Sequence, residues 1–235
     1  MKVLAIDTSN QVMSVAIMDN QRLIAEITTN VKRNHSVRLM PAIHQAMEEA
    51  KMKPAELDQI VVAHGPGSFT GVRIGVTTAK TMAYSLHIPI IAVSSLEMAA
   101  FNGLYFDGKI CSFFDARRGR VYAGLYKREN KALTSVKDEE NVLFTEWLED
   151  LKNQDEKVLF ISNDLETHKE KIKEILGEQA EFPPAFLAVP RASALAQIAQ
   201  TKSETEIHTL TPNYLRLAEA EAKWLEKNQE QRKNG

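Results

Sequence analysis

The sequence predicts an α/β protein of two related lobes, each a mixed β-sheet flanked by helices, with a cleft between them. Three observations carry this. Short β-branched and apolar runs alternate with longer segments of helical period. The order strand-strand-strand-helix-strand-helix occurs twice along the chain. Acidic turns, "DTS" from Asp7 and "DAR" from Asp115, close the first strand of each half. Elements of this kind bury their apolar faces by layering helices on sheets. The expected boundaries are 1–106 for the first lobe, 107–208 for the second, and 209–235 for a C-terminal helix and polar tail packing back across both.

In the first half, "KVLAIDTS", "VMSVAIMD" and "RLIAEITTN" are separated by Asn-Gln turns and read as an antiparallel meander. "HSVRLMPAIHQAMEEAKM" is helical, with Ser36 as N-cap and Val37, Met40, Ile43, Met47 and Ala50 on one face. Pro41 cannot donate to the Val37 carbonyl, so a bend near the first turn is expected. "ELDQIVVAHGPG" supplies a fourth strand and a glycine turn. "VRIGVTTAKTMAYSLH" is a helix, "IPIIAVS" a strand and "SLEMAAFNGL" a helix. The second half begins with strands "KICSFFDAR" and "RVYAGLYKRE", with "KALTSVKDE" as a third. "FTEWLEDLKN" is a helix, "EKVLFIS" a strand, "THKEKIKEILG" a helix and "FLAVP" a last strand. The helical "RASALAQIAQTK" follows, then a stretch from Asn213 that starts as a helix and ends as a polar tail.

Composition narrows the function classes. The chain has 235 residues, 44% of them hydrophobic, and a formal net charge of −2, which does not advertise a dedicated nucleic-acid-binding domain. One cysteine, Cys111 in "KICSFFDA", excludes an internal disulfide and a multi-cysteine metal site and reads as a buried thiol. No segment approaches the ~20 apolar residues of a membrane span, and the start "MKVLAIDTS" is already strand-like, so a cytoplasmic protein is expected.

Two stretches are candidates for chemistry. Asp7, Thr8 and Ser9 offer a carboxylate and two hydroxyls at a strand end, suited to a divalent metal with phosphate or, equally, to a plain turn. "GPGSFTGVRIG" (65–75) follows a strand and opens a helix. Its Gly65, Gly67, Ser68 and Gly71 could cradle an anion at the helix N-terminus. The other account is a tight turn in which Gly71 and Gly75 permit close packing. The stretch is neither a Walker A loop nor a dinucleotide fingerprint. His35 and His44 are spaced wrongly for one helical face, and His64 reads either as a titrating group or as a strand-end ring bonded to backbone. Arg117, Arg118, Arg120, Lys127, Arg128 and Lys131 form a basic run that either touches RNA phosphate or protects a hairpin edge.

The set "LAIDTS", "HS" opening a helix, "GPGSFTGVRIG", "DARRGRVY" and "PNYLR" (Pro212–Arg216) closely resembles the TsaB (YeaZ) family, specifically over residues 1–125 and thinly from there to Pro212. The resemblance implies an actin-like ATPase, ribonuclease H-like fold. It also implies a role in making threonylcarbamoyladenosine beside the anticodon of tRNA, paired with the catalytic paralogue TsaD and working with the ATPase TsaE. The paralogue carries Val-Asn-His-Leu-Glu-x-His, whose two histidines hold a metal. Here "VSSLEMA" places Ser95 and Ala99 at those positions, so neither a metal site nor a catalytic residue is expected. "SND" (Ser162–Asp164) stands where the family often has Gly-Asp-Gly. Weak ATP or ADP binding at Asp7, Thr8, Ser9, Gly65, Gly67, Ser68 and Gly71 is the most the cleft is expected to show.

The resemblance points instead to surfaces. Val37, Met40, Ile43, His44 and Met47 form the expected interface with TsaD, or with a second copy when TsaD is absent, and tRNA is reached through the complex. Glutamate at Met40 and Met47 should then break the complex and spare the fold. The competing readings are an autonomous small-molecule kinase or ATPase using Asp7 and the glycine turn, and a peptidase, for which no Gly-x-Ser-x-Gly elbow exists.

Overall fold

The computed structural model describes residues 1–32, 34–130 and 132–215. The first sheet is built from β1 (Lys2–Asp7), β2 (Val12–Asp19), β3 (Arg22–Asn30), β4 (Gln59–Ala63) and β5 (Ile90–Val93), in the order β3-β2-β1-β4-β5. β1, β2 and β3 are antiparallel, and β4 and β5 run parallel to β1. The second sheet repeats this plan with β6 (Lys109–Asp115), β7 (Arg120–Glu129), β8 (Ala132–Leu143), β9 (Val158–Ile161) and β10 (Ala180–Glu181), in the order β10-β9-β6-β7-β8. β6 takes the place of β1 and β9 that of β4. The two mixed sheets flanked by helices are the expected fold class.

Alternation along β1 shows why its run is apolar throughout. Leu4 and Ile6 face α1 (His35–Glu49) and α2 (Phe69–Leu86), joining Leu39, Ile43, Val72 and Val76 in one core. Val3 and Ala5 face the other side, where α6 (Ala192–Ala199) covers them with Leu195 and Ile198. A strand buried on both faces has no polar side to show. In the second lobe, α4 (Phe144–Lys152) and α5 (Leu165–Leu176) cover Phe113, Val121 and Phe160. The short α3 (Ser95–Ala100) lies between the sheets, with Met98 in the first lobe's core and Leu96, Ala99 and Ala100 packed on Ile110 and Phe114 of the second.

Several expectations change. The N-cap of α1 is Asn34, not Ser36: the Ser36 amide and hydroxyl both donate to Asn34 Oδ1, at 3.0 and 2.9 Å. α2 starts at Phe69, three residues earlier than its apolar period suggested, because Ser68 caps it by accepting from the Gly71 amide. "FLAVP" is no strand. Ala185–Leu187 form a 3-10 turn, and the pairing strand is β10 just upstream; Pro183 and Pro184 between them have no amide to extend a ladder. The assignment of 107–208 to the second lobe fails for α6, which packs on the first sheet. The chain beyond it also follows the first lobe. Thr205 bridges to Ile90, Leu210 enters the first core, and the Asn213 amide donates to the His64 carbonyl at 2.7 Å. Within the expected C-terminal helix, 209–215 is irregular, and residues 216–235, with the rest of that expectation, lie outside the described residues.

Candidate functional site

β1 ends between the lobes, and its turn meets the start of α2. Thr8 donates its hydroxyl to the Gly71 carbonyl at 2.7 Å, and the Ser68 amide donates to the Ser9 carbonyl at 2.6 Å. A Cβ at Gly67 would lie 2.1 Å from the Ser9 carbonyl oxygen, one at Gly71 2.2 Å from that of Thr8, and one at Gly75 2.5 Å from Thr8 Oγ1. Those distances are inside any van der Waals contact, so the turn's bare faces are filled by the chain itself. Gly65, at φ +110°, makes room in the same way for the Asn213 carbonyl.

Asp7 is fully buried beside this contact. Its Oδ1 accepts from the Ser9 amide at 2.8 Å, whereas Oδ2 is buried with no partner among the described residues. Burial pushes its carboxyl up to about 6, against the lowering effect of the Ser9 bonds and of His35. A buried, half-satisfied carboxylate costs stability, and such groups cluster where a protein keeps them for use.

A cleft of about 470 Å³ opens next to these residues. Ser9, Asn10 and Gln11 line it from the first turn, Gly67 to Thr70 from the start of α2, and Asp115, Arg117, Tyr122 and Asp164 from the second lobe. The second wall is knitted to itself: the Asp115 amide donates to Asp164 Oδ2 at 3.0 Å and the Arg117 amide to Asp115 Oδ1 at 2.9 Å. Burial raises the Asp164 carboxyl, with Asp115's charge adding to it and the Asp115 amide opposing. From the "SND" turn, Asn163 accepts from Asn30 at 2.6 Å across the lobes.

This wall mixes charges, with Arg117 beside Asp115 and Asp164. At the start of α2 the amides of Ser68, Gly71 and Val72 are spent internally, and the space a Cβ would take at Gly67, Gly71 and Gly75 is filled by the chain. The structure therefore brings Asp7, Thr8, Ser9, Gly65, Gly67, Ser68 and Gly71 together, but as a self-filled turn contact.

The remaining candidates separate. His64 Nδ1 lies 2.9 Å from the Val93 carbonyl, the backbone-bonded alternative. Cys111 is buried, burial pushes its thiol up to about 12, and Trp147 Nε1 donates to it at 3.3 Å. The basic run is not one patch. Arg117 and Arg118 sit at the β6–β7 turn, and Arg120 is tied to the Asn141 side chain and carbonyl. Lys127 and Arg128 lie at the far end of β7, roughly 25 Å from Arg120 at ~3.3 Å per residue, and Lys131 is outside the described residues.

On α1, Val37 and Met40 are 68% and 52% exposed and His44 is exposed, but Ile43 and Met47 are 2% and 4% exposed and belong to the core. Two of the five expected interface residues are therefore internal, because α1 turns those positions onto β1 and β2. Beside the exposed residues runs a shallow groove of about 390 Å³, mostly apolar, to which Met40, Met47, Met52 and Met82 contribute half of the chain's eight methionines.

A second junction escaped the sequence. Glu139 on β8 accepts from the Ser94 hydroxyl and from Tyr126 Oη, the latter at 2.8 Å, so strands of the second lobe are joined to the cap of α3. Burial raises the Glu139 carboxyl and holds the Tyr126 phenol well above its ordinary range. The acidic "KDEE" inside a strand was the available signal.

The model of the family "TsaD: tRNA N6-adenosine threonylcarbamoyltransferase" matches residues 22–224. The chain is 52% identical to the tRNA threonylcarbamoyladenosine biosynthesis protein TsaB of Bacillus subtilis (strain 168), over 96% of this chain and 99% of that one. The chain belongs to the TsaB family. The TsaB of Escherichia coli (strain K12) is 30% identical over 66% of this chain and 67% of its own. YeaZ from Pseudomonas aeruginosa shares the fold, with a TM-score of 0.75 at 24% identity, covering 91% of this chain and 99% of that one. At the two positions set against the paralogue's histidines, Ser95 Oγ accepts from the Gly65 amide at 3.1 Å and Ala99 packs in the inter-lobe core.

Proposed function

We propose that the chain is a non-catalytic subunit required for threonylcarbamoyl transfer to the adenosine beside the anticodon of tRNA. It acts by binding the catalytic paralogue TsaD, together with TsaE, in the cytoplasm. The observation that supports this is the packing of the glycine turn on the turn after β1: the carbonyls of Ser9 and Thr8 fill the space that a side chain would take at Gly67 and Gly71. A subunit whose turn is closed in this way contributes by contact, and the exposed Val37, Met40 and methionine groove are the contact surface, since methionine adapts to partner shape. Transfer RNA is engaged through the complex, ATP or ADP enters the cleft only weakly, and a second copy takes the same face when TsaD is absent. Reconstituted tRNA threonylcarbamoylation tests the proposal. Modified tRNA is expected from the complete set of proteins and not from TsaD and TsaE alone or from this chain alone; product from this chain alone would sink it.

One observation favours the alternative, an autonomous kinase or ATPase: the inter-lobe cleft does contain the N-terminus of an 18-residue helix with Arg117 in the opposite wall. Steady-state turnover of ATP by the isolated chain would favour that reading.

A further inference from the structure

The first turn of α1 displays Val37 and Met40, and it is the part of the helix least secured by its own ladder. Pro41 has no amide to give the Val37 carbonyl. Two side chains reach from this turn, Arg38 to β3 and His35 to the turn between β1 and β2. Arg38 donates to Thr29 Oγ1 at 2.6 Å, and His35 Nε2 lies 2.7 Å from the Asn10 carbonyl. A carbonyl only accepts, so Nε2 carries the hydrogen, and in the neutral ring Nδ1 is left as an acceptor. That nitrogen is buried with no partner among the described residues, as is Asp7 Oδ2. Asn10 is itself fixed, its Oδ1 accepting from the Val12 amide at 2.8 Å, and it lines the cleft.

We propose that His35 is a positioning residue for partner binding: its bond to the Asn10 carbonyl holds the first turn of α1 against the cleft turn, presenting Val37 and Met40 in one orientation. The cleft and the partner-facing surface are then mechanically joined through one imidazole. Retaining a ring with an unsatisfied buried nitrogen makes little sense for packing alone, since that atom costs free energy, but it follows if the Nε2 bond is what the turn requires.

The inference rests on the reading of α1 as the partner-facing helix, and the experiment separates the two. Binding of the full chain to purified TsaD is measured by calorimetry for wild type, His35→Ala, His35→Gln and Met40→Glu, with amide hydrogen exchange on each free chain. His35→Ala is expected to weaken binding roughly tenfold, the scale of a coupling between sites. It should also speed exchange at residues 36–40 while leaving β1 and β4 protected. His35→Gln, which keeps a donor able to reach the carbonyl, is expected to restore both. If His35→Ala does not fold, His35→Leu, similar in volume and without a donor, takes its place. Normal binding by Met40→Glu would defeat the interface reading, while the exchange data would still decide the tether. Loss of binding by Met40→Glu with wild-type exchange and affinity in His35→Ala would overturn the inference, as would a glutamine variant no better than alanine.

Discussion

Asp7 carries a stability cost that a single atom change should remove. Its carboxyl titrates near 6 when folded and near 3.8 when unfolded. Below pH ~4 both states are protonated and the cost is absent; it grows as pH rises through 6 and is complete above that, at roughly 3 kcal/mol. Asp7→Asn keeps an oxygen for the Ser9 amide and cannot ionise. It should therefore raise the urea midpoint at pH 8, leave it unchanged at pH 4, and flatten the slope between. A variant less stable than wild type at pH 8 would show that the ionised form is stabilised by something the structure does not contain. The glycines make a second residue-scale contrast. Gly71→Ala drives a Cβ onto the Thr8 carbonyl and should cost more than ~2 kcal/mol. Gly119, at φ +72° with open space around it, should lose only about 1 kcal/mol to alanine. A loss at Gly71 no larger than at Gly119 would mean that the approach of Thr8 to α2 relaxes to admit a methyl group.

At the scale of elements, α1 is read differently before and after folding. Its five apolar positions form a single stripe on paper, yet Ile43 and Met47 point to the sheet while Val37 and Met40 face outward. Glutamate at Met40 should leave the melting temperature within a degree or two and abolish association with TsaD. The same change at Ile43 or Met47 buries a charge and should unfold the chain or lower its melting temperature by many degrees. Replacing both Met40 and Met47, the pair suggested by the sequence, would therefore confound interface with core. Elsewhere element type followed local chemistry closely. Ser68 starting α2 and Pro183-Pro184 stopping β10 are both legible in the sequence once the cap and the missing amides are given their weight.

For the whole molecule, the repeat of one sheet plan places two turns face to face, and their chemistry decides what the cleft accepts. Asp115 and Asp164 oppose an anion, Arg117 beside them favours one, and the amides of Ser68, Gly71 and Val72 are already used. Calorimetry with ATP and magnesium should give a Kd no tighter than about 1 mM, a binding free energy near −4 kcal/mol. Micromolar affinity would mean that the lobes reopen and free the turn.

The order of strands and helices, the acidic turn closing the first strand of each half, and the glycine turn all followed from the sequence, because period, capping and turn chemistry are local. Tertiary structure alone decided that α6 crosses back to the first sheet, that Ile43 and Met47 are core, that the basic run is split along β7, and that Thr8 and Ser9 fill the glycine turn. Each of those depends on which distant segment arrives to cover a face or occupy a space. Periodicity says that a face must be buried; it carries no record of what buries it.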